Sequence, residues 1–190
     1  MRNLRVLILL CLTSCGWEEY PPEKYVISQQ YRDLISSYEV GDTIKFKDSE
    51  GHLSSFLIEK IDSFLLNKRG HFINQAEHKS ISIACREIEN ARQGYEEYNM
   101  ISIIKDPKTD STGFDIRLKD FYGIDITSSF VLRKDTITAN NLSFTNYYSF
   151  RPYDYTEQKN PNSISEIYMT NQDGIIAYKS LNGFWWTKVK

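Results

Sequence analysis

The sequence predicts a mainly β protein: an antiparallel meander forming a barrel or sandwich, with one or two short helices, over residues 25–190. Three observations carry that expectation. Apolar and polar residues alternate with period two in residues 42–48 and 114–119, the pattern of strands with one wet face. The tail, residues 164–189, reads as three apolar runs separated by two short turns. One of those turns is Asn182-Gly183, and Asn-Gly between apolar runs is the strongest short-range hairpin signal. Helical spacing, by contrast, never extends beyond a few turns.

The elements follow in chain order. Arg2 and Arg5 flank the start of a seven-residue apolar run, residues 6–12. A membrane-spanning helix needs about 20 apolar residues, so this segment predicts a secretory signal and not a permanent span. Its end, Leu12-Thr13-Ser14-Cys15, is similar to the lipobox of bacterial lipoproteins. The resemblance implies cleavage before Cys15, removal of residues 1–14, and acylation of the Cys15 thiol and its new amino group. It also implies an address in the cell envelope. Gly16 is not the aspartate that resembles an inner-membrane retention signal, so the outer membrane is the expected destination. The competing reading is an ordinary signal cut after Gly16, with no lipid.

Residues 15–24 then form the lipidated cysteine and a tether, since two prolines and three glutamates among few aliphatics build no core. Pro21-Pro22 stiffens it into an extended spacer. Glu18 and Glu19 look like the acidic signal that sends some lipoproteins to the cell surface, or else are a solvated linker. Of three cysteines, Cys11 leaves with the signal and Cys15 carries lipid, so Cys85 has no internal partner for a disulfide. Ile81, Ile83 and Cys85 share one face of a period-two pattern, which predicts a buried, inert thiol.

Loss of the two signal arginines takes the formal net charge from −2 to −4. An acidic surface without a basic stripe argues against nucleic acid as a partner. It also offers no attraction to anionic lipid, which leaves membrane attachment to the acyl chains on Cys15. Two chains or more hold stably where one does not.

Ile27, Tyr31, Leu34 and Tyr38 fall at helical spacing, predicting a short helix that ends before Gly41. Residues 42–48 place Ile44 and Phe46 on one face, and a Ser49-Glu50-Gly51-His52 turn leads to a second strand at 53–61. Residues 79–86 and 100–105 are isoleucine-rich strands. Ile88, Ala91 and Tyr95 suggest another helical turn or two after Cys85, ended by Gly94. Phe114, Ile116 and Leu118 mark another strand. Gly123, Asn140-Asn141 and Asn162 are turn signals between later runs.

Motifs for catalysis are lacking, so no catalytic residue, cofactor or metal is expected. His52, His71 and His78 are the only histidines, and the last two are seven residues apart in a polar stretch, which is not a zinc spacing. No Gly-x-Ser-x-Gly elbow or phosphate loop occurs. Asp106, Asp110 and Asp115 surround a glycine but miss the calcium-loop rhythm, and ordinary turn chemistry is the simpler reading.

One stretch stands out. Residues 142–155 crowd Phe144, Tyr147, Tyr148, Phe150, Tyr153 and Tyr155 around Arg151. In a regular strand Phe144, Tyr148 and Phe150 fill the core, which leaves Tyr147, Arg151, Tyr153 and Tyr155 outside as a candidate contact surface. Tyrosine beside arginine is what interfaces favour. Trp185 and Trp186, adjacent on a strand, must face opposite ways, and Trp185 joins the candidate contact set. The leading expectation is a lipid-anchored, non-enzymatic envelope module that binds a protein or glycan, or has a structural role. The alternatives are a lipocalin-like carrier enclosing an apolar small molecule, and an envelope hydrolase of unrecognised mechanism.

Overall fold

The computed structural model describes residues 20–66, 69–70, 73–74, 78–88, 98–118, 132–151 and 160–189. A single turn of 3-10 helix at Pro22–Tyr25 precedes α1 (Gln29–Ile35). The strands are β1 (Thr43–Lys47), β2 (Leu53–Leu66), β3 (Arg69–Gly70), β4 (Ile73–Asn74), β5 (His78–Glu87), β6 (Tyr98–Lys105) and β7 (Thr112–Ile116). They continue with β8 (Leu132–Ala139), β9 (Leu142–Phe150), β10 (Ile164–Thr170), β11 (Gly174–Ser180) and β12 (Trp185–Lys188). The fold is mainly β, as the period-two runs predict. The second predicted helical turn lies mostly outside the described residues, and Ile88 at its start is exposed. Gly123 also lies outside them.

Ten strands make one antiparallel sheet in the order β7-β6-β5-β2-β1-β12-β11-β10-β9-β8, and β3 and β4 pair separately. The sheet curls into a half-barrel. A ring contact shows how far it curls. Phe114 on β7 and Phe150 on β9 lie near opposite margins of the sheet, yet their rings stack at 5.4 Å. The concave face is filled by side chains. Phe46 meets Phe56 at 5.9 Å and Tyr178 at 5.1 Å, and Tyr178 stacks on Trp186 at 5.6 Å. Ile58, Ile83, Cys85, Ile101 and Ile103 are buried among them, and Cys85 is in no disulfide among the described residues. Burying each such aliphatic side chain contributes about 1.5–3 kcal/mol.

Alternation sets which face of each strand is buried. β1 is exposed, buried, exposed, buried, exposed in order, with Ile44 and Phe46 inside. Phe114, Ile116 and Leu118 are all buried. The hairpin tip between β8 and β9 is Asn140-Asn141 with φ of 46° and 65°, the left-handed pair a two-residue turn requires.

Helix α1 closes one end of the half-barrel. Leu34, Ile27 and Tyr38 enter the main core, and Tyr31 stacks on Phe114. The Tyr31 hydroxyl donates to the Thr112 carbonyl at 3.3 Å. The buried Tyr38 hydroxyl accepts the Ile175 backbone N–H at 2.7 Å. That approach depends on Gly174, whose φ is +66° and where a Cβ would fall on the Tyr38 hydroxyl. No helix among the described residues is long and apolar enough to cross a membrane.

Candidate contact surface

The convex face of β9–β12 should be polar, and part of it is a second small core. Tyr147, Tyr168, Ile176 and Ala177 are buried there, with Ile137, Phe144 and Trp185 packed against them. Two irregularities in the ladder make it. Between β10 and β11 the pairing skips, Tyr168 opposite Ala177 but Met169 opposite Ile175, so Ile176 is an extra residue that joins Ala177 on the outside. Asn146 in β9 has φ of 53°, and the β8–β9 register shifts beside it.

That second irregularity bends β9. Only Tyr148, Ser149 and Phe150 pair with β10. The rest of β9 parts from β10 while staying paired with β8, and the two fold across the outer face as a flap. Asn140 at the tip holds it down, its side-chain amide donating to the carbonyls of Lys47 at 3.2 Å and Trp185 at 3.0 Å.

The flap corrects two sequence expectations. Tyr147 does face away from the main core, but it is 5% exposed, covered by the hairpin, and tilted against Tyr168 at 5.7 Å. It is no free contact residue. Phe144 does not join Tyr148 and Phe150 inside; the bend puts it in the outer cluster with Tyr147. Burial, then a hydrogen bond to Asp135, pushes the Tyr147 phenol above its ordinary pKa. Burial and a hydrogen bond to Glu166 push Tyr168 up further.

The two tryptophans divide as adjacent strand residues must. Trp186 faces inward onto Tyr178, and Trp185 faces outward, 5.1 Å from Tyr168. A strip of more accessible groups runs across four strands beside it. Glu166 pairs with Lys179, and Lys179 pairs with Trp185 in the ladder. The Lys179 ammonium lies 5.4 Å from the Trp185 ring centre, and Arg151 Nε lies 3.3 Å from Glu166 Oε1. Arg151, Glu166, Lys179 and Trp185 thus present alternating charges that end on a half-buried indole. Sequence reasoning missed Glu166 and Lys179, which reach the strip only through strand register. Tyr153 and Tyr155 of the expected set lie outside the described residues, as does Cys15.

Two polar loops gather side chains of the kind that ligate metals. Asp48, Glu50 and His52 hold their ligand atoms within 4.8 Å of one another in the β1–β2 turn. Their donors serve the turn: Asp48 Oδ1 accepts the N–H of Glu50 at 2.9 Å and of His52 at 2.8 Å, and Oδ2 meets His52 Nδ1 at 2.8 Å. The His52 side chain is exposed, as a loop histidine should be. In the loop between β6 and β7, the Lys105 ammonium donates to the Asp110 carbonyl at 2.6 Å and carboxylate at 2.7 Å. Asp106 Oδ1 accepts the Lys108 N–H at 2.8 Å, and Asp115 engages Arg117 at 3.1 Å. An internal lysine, itself nearly buried, thus neutralises this loop. His71 and the side chain of His78 lie outside the described residues. Comparison with protein-family models, with curated proteins and with solved structures gives no match.

Proposed function

We propose that this protein is a lipid-anchored, non-enzymatic module of the cell envelope that engages a protein or glycan partner. The observation that carries the reading is the run Leu12-Thr13-Ser14-Cys15, behind two arginines and a short apolar segment and ahead of a polar, glutamate-bearing stretch. The Arg151–Glu166–Lys179–Trp185 strip supports the binding role. A half-buried indole flanked by charges can cover a partner's apolar patch or stack on a sugar ring. The packed concave face supports a module over a carrier, because Phe46, Phe56, Phe114, Phe150 and Tyr178 occupy the space an apolar ligand would need.

The anchoring half of the reading is tested by metabolic labelling with a radioactive fatty acid. The wild type should take up label and sediment with membranes. Cys15→Ala should lose the label and leave the membrane fraction; a Cys15→Ala protein that remains membrane-bound would refute the anchor.

A further inference from the structure

Where β9 parts from β10 it leaves an open strand edge. Only Tyr148, Ser149 and Phe150 pair with β10, and no other strand among the described residues takes that side of Leu142 to Asn146. A two-residue turn closes on a hydrogen-bonded pair, here Ala139 and Leu142. Leu142 and Phe144 therefore turn their backbone groups to β8, while Ser143 and Thr145 turn theirs to the open edge. Leu142, Ser143, Thr145 and Asn146 are all exposed. Proteins blunt open edges with charge, proline or a bulge. β8, the outer edge of the same flap, carries Arg133, Lys134 and Asp135 at its register shift. Leu142 to Thr145 carries neither charge nor proline.

This open edge faces the charged strip. Tyr168, Ala177 and Thr187 form one row across the ladder, buried under the flap, and Glu166, Lys179 and Trp185 form the next. The strip begins at Arg151, directly after β9, and ends at Trp185, whose carbonyl holds the flap tip. It thus runs beside β9 from root to tip, in the direction that an added strand would take. Ser180 and Leu181 carry the main sheet on past Lys179 for roughly 7 Å, and Leu181 and Phe184 are exposed at its margin. That shelf takes one more strand at the usual spacing of about 4.8 Å, and it obstructs a folded sheet edge backed by its own layers. We infer that a protein partner adds one extended segment to β9, lying over the strip and pairing with Ser143 and Thr145. Unpaired backbone groups select a polypeptide over a glycan or a lipid. Its inward side chains meet the Trp185 indole and two cations, Arg151 and Lys179, against one carboxylate, Glu166. The segment is therefore apolar at one position and acidic at another. This inference rests on the reading of the strip as a contact surface, and it names what the strip contacts.

Residue-resolved hydrogen exchange on the full chain in detergent micelles tests it. The probes are short synthetic strand-forming peptides in acidic, neutral and basic versions. In the free protein the Ser143 and Thr145 amides should exchange fast and those of Leu142 and Phe144 slowly. The acidic peptide should slow exchange at Ser143 and Thr145 about tenfold or more, and bind more tightly than the basic one. N-methylation of the peptide amides that face β9 should abolish that protection. Thr145→Ala keeps the edge N–H and should bind as the wild type does, whereas Thr145→Pro removes it and should weaken binding about tenfold. Binding that is lost in Trp185→Ala but survives Thr145→Pro and N-methylation keeps the strip as a contact surface and overturns strand addition. Protection that grows with protein concentration, without peptide, assigns the edge to a second copy and overturns the partner segment. Protection of Ser143 and Thr145 in the dilute free protein, binding without their protection, or no binding by any peptide also overturns it.

Discussion

Gly174 shows how much a single residue can decide. It has no Cβ, so the Tyr38 hydroxyl can reach the Ile175 N–H and tie α1 to the sheet. Gly174→Ala adds a positive-φ penalty and a clash with a buried ring, and should cost about 2 kcal/mol or more. Tyr38→Phe keeps the ring but leaves a buried donor without its acceptor, and should cost about 1–3 kcal/mol. Urea unfolding of both variants measures this. His52 gives a second residue-scale prediction. Hydrogen bonding and charge from Asp48 raise the His52 pKa, so the fold favours the imidazolium. That stabilisation is fully present below the unfolded pKa of about 6.5 and is lost as pH rises through the higher folded value. The melting point of the wild type relative to His52→Gln should therefore decline as pH rises through that window. The decline should be small because the pair is exposed and screened.

The β8–β9 flap is the element that most changes how the surface is read. Its tip depends on one side-chain amide, and Asn140→Gly removes that amide while keeping the left-handed backbone. Two lost hydrogen bonds should cost about 1–2 kcal/mol. Hydrogen exchange should quicken in β8 and the first half of β9 while β1 and β2 keep their protection. Unchanged exchange in the hairpin would mean that the apolar cluster alone holds it.

The flap also marks where the sequence stops being legible. β1, β7 and the β10–β12 tail are readable because their alternation and turn residues are local. Ile44, Phe46, Phe114 and Ile116 occupy the faces their spacing assigns. α1 is readable from Ile27, Leu34 and Tyr38, all of which are buried. Alternation alone does not show that Tyr147 is covered, because Asn146 interrupts β9 and turns its first half away from β10. The bulge at Ile176 is equally silent: isoleucine fits either face, and only pairing with β10 exposes the extra residue. Glu166 and Lys179 meet Trp185 through register between strands, which no single run of residues encodes.

At the scale of the whole molecule, a short N-terminal segment joins the apolar leader of the sequence to a half-barrel closed by a helix. The central claim is that Cys15 becomes the acylated first residue of the mature protein. Mass spectrometry of the N-terminal peptide from membrane-purified protein tests it most directly. The account predicts a peptide beginning at Cys15, heavier than its sequence by two or more acyl chains, with residues 1–14 gone. A mature chain that begins at Met1, or at Trp17 after cleavage behind Gly16, with no acyl mass on Cys15, would contradict it.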